Sequence, residues 1–71
     1  MIYYCGYDQY VNLKYVVSFT INERKGMYCF RFNFVNGTSV ESQDMNYDEI
    51  IKDKKTIINA LLREEAEVTN D

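Results

Sequence analysis

Hydrophobic residues recur at every second position through the first half of the chain. This periodicity constrains the fold more than any other feature. From Val11 the odd positions read Val11, Leu13, Tyr15, Val17, Phe19 and Ile21, with Asn12, Lys14, Val16, Ser18, Thr20 and Asn22 between them. Successive side chains of a strand point to opposite faces, so the alternation predicts a long strand near 11–22 with one buried face. After Glu23-Arg24-Lys25-Gly26 it resumes: Tyr28, Phe30, Phe32 and Phe34 share one face, and Met27, Cys29, Arg31, Asn33 and Val35 the other. A strand near 27–35 follows. With Glu23 to Gly26 as a four-residue loop, Ile21 opposes Tyr28, Phe19 opposes Phe30, Val17 opposes Phe32 and Tyr15 opposes Phe34. A slip of one residue would set large apolar side chains against polar ones.

Asn36-Gly37 marks the next turn. A two-residue turn would bring Glu41 opposite Phe32 on the apolar face. A turn with a bulge at Gly37 instead opposes Phe34 to Thr38 and Phe32 to Val40, keeping Val40 inside, and so predicts a short edge strand near 38–43. At the N-terminus, a turn through Gly6 to Gln9 opposes Tyr4 to Val11 and Ile2 to Leu13, which adds a strand near 2–5.

The periodicity then changes. Asn46 is a good N-cap, Glu49 is its reciprocal partner, and Met45 and Ile50 occupy the positions of a hydrophobic staple. Tyr47, Ile50, Ile51, Ile57, Ile58, Leu61 and Leu62 recur at helical spacing. A helix near 47–66 is expected, ending through Glu64, Glu65 and Glu67, with a tail over 67–71. The expected fold class is α+β: an antiparallel meander of three or four strands packed on one C-terminal helix, in a single domain over 1–71. A chain of 71 residues buries a modest fraction of its surface, so partner binding or a homodimer would add to its stability.

Composition narrows the functional classes. Hydrophobic residues make up 46% and charged residues 27%, too apolar for a disordered chain. The net charge of −3 is neither that of a strongly basic DNA binder nor that of an acidic DNA mimic. There is no histidine, which removes Ser-His and Cys-His chemistry, and Cys5 and Cys29 lack the spacing of a zinc pair. No enzymatic activity, cofactor or metal is expected, nor a bond between the two cysteines. Asp44, Asp48, Glu49 and Asp53 gather at the helix start, where capping and the helix dipole account for them. No apolar run reaches the ~18 residues of a membrane span, and the N-terminus lacks the basic flank of a signal peptide. A cytoplasmic protein is expected.

The stretch Lys25-Gly26-Met27-Tyr28-Cys29-Phe30-Arg31-Phe32 resembles the RNA-binding strand motif of the RNA recognition motif family over these eight residues. Lys25, Gly26 and Phe32 fit that pattern, whereas Met27, Tyr28 and Cys29 depart from it. The family also places a helix between its first and third strands, which the periodicity here lacks. Cys29 stands beside Arg31 on the outer face, where an ordinary sheet position accounts for it.

Tyrosines crowd the first ten residues: Tyr3, Tyr4, Tyr7 and Tyr10. A rigid apolar ring with a polar tip suits a binding hot spot. Tyr3, Tyr7, Tyr10, Lys14 and Arg31, on the outer sheet face, form the candidate protein-binding site. The function expected is a small non-enzymatic protein-binding module with a host protein as partner. A phage or mobile-element inhibitor of a host defence factor, in the manner of anti-CRISPR proteins, is the specific form expected, because the chain has the Ile, Lys, Asn and Tyr richness common in AT-rich genomes. The alternative is a single-stranded nucleic-acid binder that uses the same face.

Overall fold

A computed structural model describes the backbone of residues 1–70 and the side chains of residues 1–63. Among the described residues five strands and one helix follow in order: β1 (Ile2–Gly6), β2 (Gln9–Asn12), a 3-10 turn (Leu13–Tyr15), β3 (Val16–Arg24), β4 (Met27–Phe34), β5 (Ser39–Glu41) and α1 (Tyr47–Asn70). The strands form an antiparallel β1–β2 hairpin and an antiparallel sheet of order β3-β4-β5. With the helix packed on them, the fold is α+β.

The β3–β4 hairpin is tighter than its sequence suggests. Lys25 and Gly26 turn the chain alone, both at positive φ (52° and 79°), the requirement of a two-residue turn whose twist matches the strands. Ile21 therefore opposes Phe30 and Phe19 opposes Phe32, two residues along from the four-residue-loop register. An even shift leaves the side chains from Ser18 through Phe34 on their expected faces. The positive φ of Lys25 is uncommon for a residue with a β-carbon, which is why the sequence favours the longer loop.

The strand expected over 11–22 is broken. Asn12 Oδ1 accepts a hydrogen bond from the Lys14 backbone N–H (3.1 Å), a local bond that competes with strand pairing. The chain turns through Leu13–Tyr15, and Leu13 becomes a buried plug in the core. β3 then begins with a register shift between Val16 and Ser18, which leaves Tyr15 and Val17 exposed rather than opposite Phe34 and Phe32. β5 keeps the bulged register, with Phe32 opposite Val40 and the Phe34 N–H donating to Thr38 O at 2.9 Å.

Ser42 to Met45 join the two sheets. The Ser42 N–H donates to Phe30 O (2.8 Å), the Phe30 N–H to Ser42 Oγ (2.9 Å), and Met45 and Tyr28 exchange both backbone bonds. On the other side, the Gln43 N–H donates to Cys5 O of β1 (2.7 Å). The core lies between the sheets and α1. Phe30 and Phe32 are fully enclosed at its centre by Tyr3, Val11, Leu13, Met45, Ile50 and Ile57, with Phe34 and Leu61 at the margin.

The helix starts as its sequence indicates. Asn46 Oδ1 accepts from the Glu49 N–H (2.9 Å), and Glu49 Oε1 from the Asn46 N–H (3.3 Å). Its backbone continues to Asn70, past the expected end near 66. No glycine or proline stands after Leu62 to stop it. The side chains of Glu64, Glu65 and Glu67, and the tail expected over 67–71 apart from its helical backbone to Asn70, lie outside the described residues.

Candidate functional site

The five candidate residues do not form one surface. Tyr3 belongs to the core. Tyr3 opposes Val11 and Tyr4 opposes Tyr10, one residue away from the expected register, with an irregularity between Tyr4 and Gly6 at the end of the hairpin. A shift of one residue turns every side chain of β1 over, so Tyr3 faces inward while Ile2 and Tyr4 face solvent. The Tyr3 ring packs edge-on to Phe30 (6.1 Å between centroids) and tilted to Phe32 (5.7 Å). Its hydroxyl donates to Asp53 Oδ2 at 2.6 Å. Burial, the bond to Asp53 and the charge of Asp53 together hold the phenol far above its ordinary range.

Tyr7 and Tyr10 remain exposed, at 71% and 68%, but they serve different hollows. Tyr7 sits at the tip of the β1–β2 hairpin with Asp8, both at positive φ (57° and 56°). With Arg24, Lys25, Met27 and Asp44 it lines a hollow of about 540 Å³ whose charges are mixed. Tyr10 pairs with Tyr4 across the hairpin, their rings 5.0 Å apart. Lys14 is exposed on the 3-10 turn. Arg31 lies on the outer face of β4, where its Nη2 donates to Ser39 Oγ at 3.3 Å.

A second concavity gathers side chains that the sequence does not single out. An open groove of about 560 Å³ runs between β2 and the β4–β5 hairpin. Val11, Phe34 and Val40 supply apolar surface, Tyr10, Tyr15 and Val35 stand exposed along it, and Gln9, Asn12, Asn36 and Thr38 add polar groups. The groove exists because Asn12 breaks the strand: were β2 and β3 continuous in the observed register, Val17 would stand opposite Phe34. Asn12, a turn-forming residue inside an apolar alternation, is the one signal in the sequence that points to it.

Several other polar and thiol groups make contacts within the fold. Cys5 and Cys29 are free and buried, and burial pushes the Cys5 thiol up. Cys29 lies against Arg24, whose Nη2 is 3.5 Å from its sulfur, rather than against Arg31. Arg24 also meets Glu41 at 3.3 Å, an exposed pair worth little in water. Of the acidic residues at the helix start, Glu49 caps the helix and Asp53 accepts from Tyr3. Among the described residues no three acidic, cysteine or histidine side chains converge as a metal site would require. Tyr28, Phe30 and Phe32, the aromatic residues of the segment that resembles the RNA motif, pack inward as core or its margin, and Phe32 is the one of them that stands at an aromatic position of that pattern. No helix among the described residues is long and apolar enough to cross a membrane. No family model, curated protein or solved structure matches the chain.

Proposed function

We propose that this chain is a non-enzymatic protein-binding module whose contact surface is the groove between β2 and the β4–β5 hairpin. The observation that carries this reading is the concentration of exposed apolar and aromatic groups, Tyr10, Tyr15 and Val35, around an apolar floor of Val11, Phe34 and Val40. A tyrosine ring has few rotatable bonds to fix on binding, and desolvated aromatic anchors dominate protein interfaces. The target class is a host protein. A defence factor, met by a phage or mobile-element inhibitor, is the specific form of the proposal.

Single-strand binding is the alternative, and the charges of the outer face argue against it. Of the arginines on that face Arg24 is paired with Glu41, which leaves Arg31 as a lone cation there among the described residues, and the net charge is −3. Nucleic-acid affinity rests on cations free to displace counterions from phosphate. The test sets wild type beside Tyr10→Ala and Arg31→Ala in two assays: capture of a partner from host lysate, and titration of labelled single-stranded DNA and RNA. A partner whose affinity falls about thirtyfold with Tyr10→Ala, the equivalent of a ~2 kcal/mol hot spot, supports the groove. Micromolar oligonucleotide binding that disappears with Arg31→Ala would replace this reading with the alternative.

A further inference from the structure

The free edge of β3 is self-complementary, and we infer that it pairs antiparallel with the β3 of a second copy of this chain about a two-fold axis at Thr20. Among the described residues β3 pairs with β4 alone, so its other edge is open. The direction of its backbone groups follows from the bonds of β4. The N–H groups of Tyr28, Phe30 and Phe34 bond to the β5 side, at Met45, Ser42 and Thr38. The alternate residues, Cys29, Arg31 and Asn33, therefore bond to β3 at Asn22, Thr20 and Ser18. That leaves the N–H and C=O groups of Phe19, Ile21 and Glu23 directed outward, where a row of unpaired groups is a template for another strand.

The order of residues along that edge selects a second copy as the occupant. Ser18-Phe19-Thr20-Ile21-Asn22 alternates polar and apolar and reads alike in both directions. Centred on Thr20, an antiparallel pair sets Phe19 against the partner's Ile21 in both symmetric positions, each pair exchanging both backbone bonds. The same register sets Ser18 against the partner's Asn22 and Thr20 against its own mate. Phe19 and Ile21 are only partly buried in the single chain, so the pairing completes their cover. Such an isologous match is what two-fold symmetry demands.

Other registers match less well. Centred on Ile21, Phe19 of the core face would meet the partner's Glu23; centred on Thr20, the residue opposite Glu23 is Val17, which already lies outside the regular ladder to β4; centred on Phe19, Ile21 would depend on Val17 as its partner. The segment Val17–Asn22 also carries no charge, proline or glycine of the kind that protects an edge. The joined sheet has six strands, an ordinary size. β3 lies across β4 from β5, so pairing leaves the β5 wall of the proposed groove clear.

The experiment is sedimentation equilibrium over a wide concentration range, with amide hydrogen exchange on the same samples. Wild type should move from 8.5 kDa toward twice that mass as concentration rises. The Phe19 and Ile21 amides, unprotected when dilute, should gain protection in step, while those of Thr20 and Asn22 stay protected throughout. Thr20→Lys sets like charges opposite each other and should hold the chain at the single mass. Mixing it with Thr20→Glu should restore the double mass as a heterodimer. A wild type that stays at the single mass, a dimer that survives Thr20→Lys, or Phe19 and Ile21 amides indifferent to concentration would each overturn the pairing. The exchange measurement on wild type decides the matter even if a Thr20 variant fails to fold.

Discussion

Replacing Tyr3 with Phe isolates one hydrogen bond inside an otherwise unchanged core. The ring stays between Phe30 and Phe32, and only the hydroxyl that donates to Asp53 at 2.6 Å is lost. A hydrogen bond to a charged group contributes ~1.5–3 kcal/mol. Asp53 is partly exposed and recovers water when its donor is gone, so the low end applies, about 1.5 kcal/mol. For a domain this small that is a drop in Tm of ~6–12 °C. The pH dependence gives a second reading. Tyr3 is held protonated in the folded chain far above its ordinary value of 10.0, chiefly by burial and then by Asp53. A raised folded-state pKa contributes stability that is complete below pH 10 and lost as pH rises further, because the unfolded chain ionises first. Above pH 10 the wild type should lose up to ~1.4 kcal/mol per pH unit that Tyr3→Phe does not lose. In urea unfolding series from pH 6 to 11.5, the two proteins should keep a constant gap to about pH 9.5. The gap should close roughly one unit above 10. Equal stability at pH 7, or a gap that widens above pH 10, would refute the buried Tyr3–Asp53 pair.

Further outcomes follow from the same core. Phe32→Ala should cost ~3–5 kcal/mol by cavity formation, enough to leave the chain largely unfolded by circular dichroism at 37 °C. Gly6→Ala should cost ~1–3 kcal/mol in urea, because its φ of 88° is strained for alanine and the added carbon collides with the Gln43 side chain; truncating Gln43 to Ala in the same chain should recover the collision's share. Asn46→Ala should lower stability by about 1 kcal/mol through loss of the helix cap, measured by thermal melting.

The legible parts of the fold were those set by local rules. The cap at Asn46, the β4–β5 bulge and the inward face of β4 depend on residues close in sequence, and each stands where the pattern indicates. The parts that were not legible depend on irregularities of a single residue. The irregular end of the β1–β2 hairpin exchanges Tyr3 for Tyr4 in the core, and Asn12 diverts the chain so that Leu13 plugs the core while Tyr15 and Val17 leave it. Alternation measures which side chains are apolar, and a strand that shifts sheets keeps that alternation while changing which face is inside. The candidate site suffered accordingly. Tyr7, Tyr10, Lys14 and Arg31 are exposed as expected but scattered, and Tyr15, Phe34, Val35 and Val40 join Tyr10 only after the chain has folded back at Asn12.

The groove as contact surface is tested most directly by amide chemical-shift mapping of the labelled chain against a captured partner. The expected result is perturbation concentrated at Gln9 to Asn12, Tyr15, Val35, Thr38 and Val40, and its disappearance in Tyr10→Ala. Shifts confined to the outer sheet face around Thr20, Arg31 and Ser39, or to the exposed helix face around Lys52, Lys55 and Asn59, would contradict it.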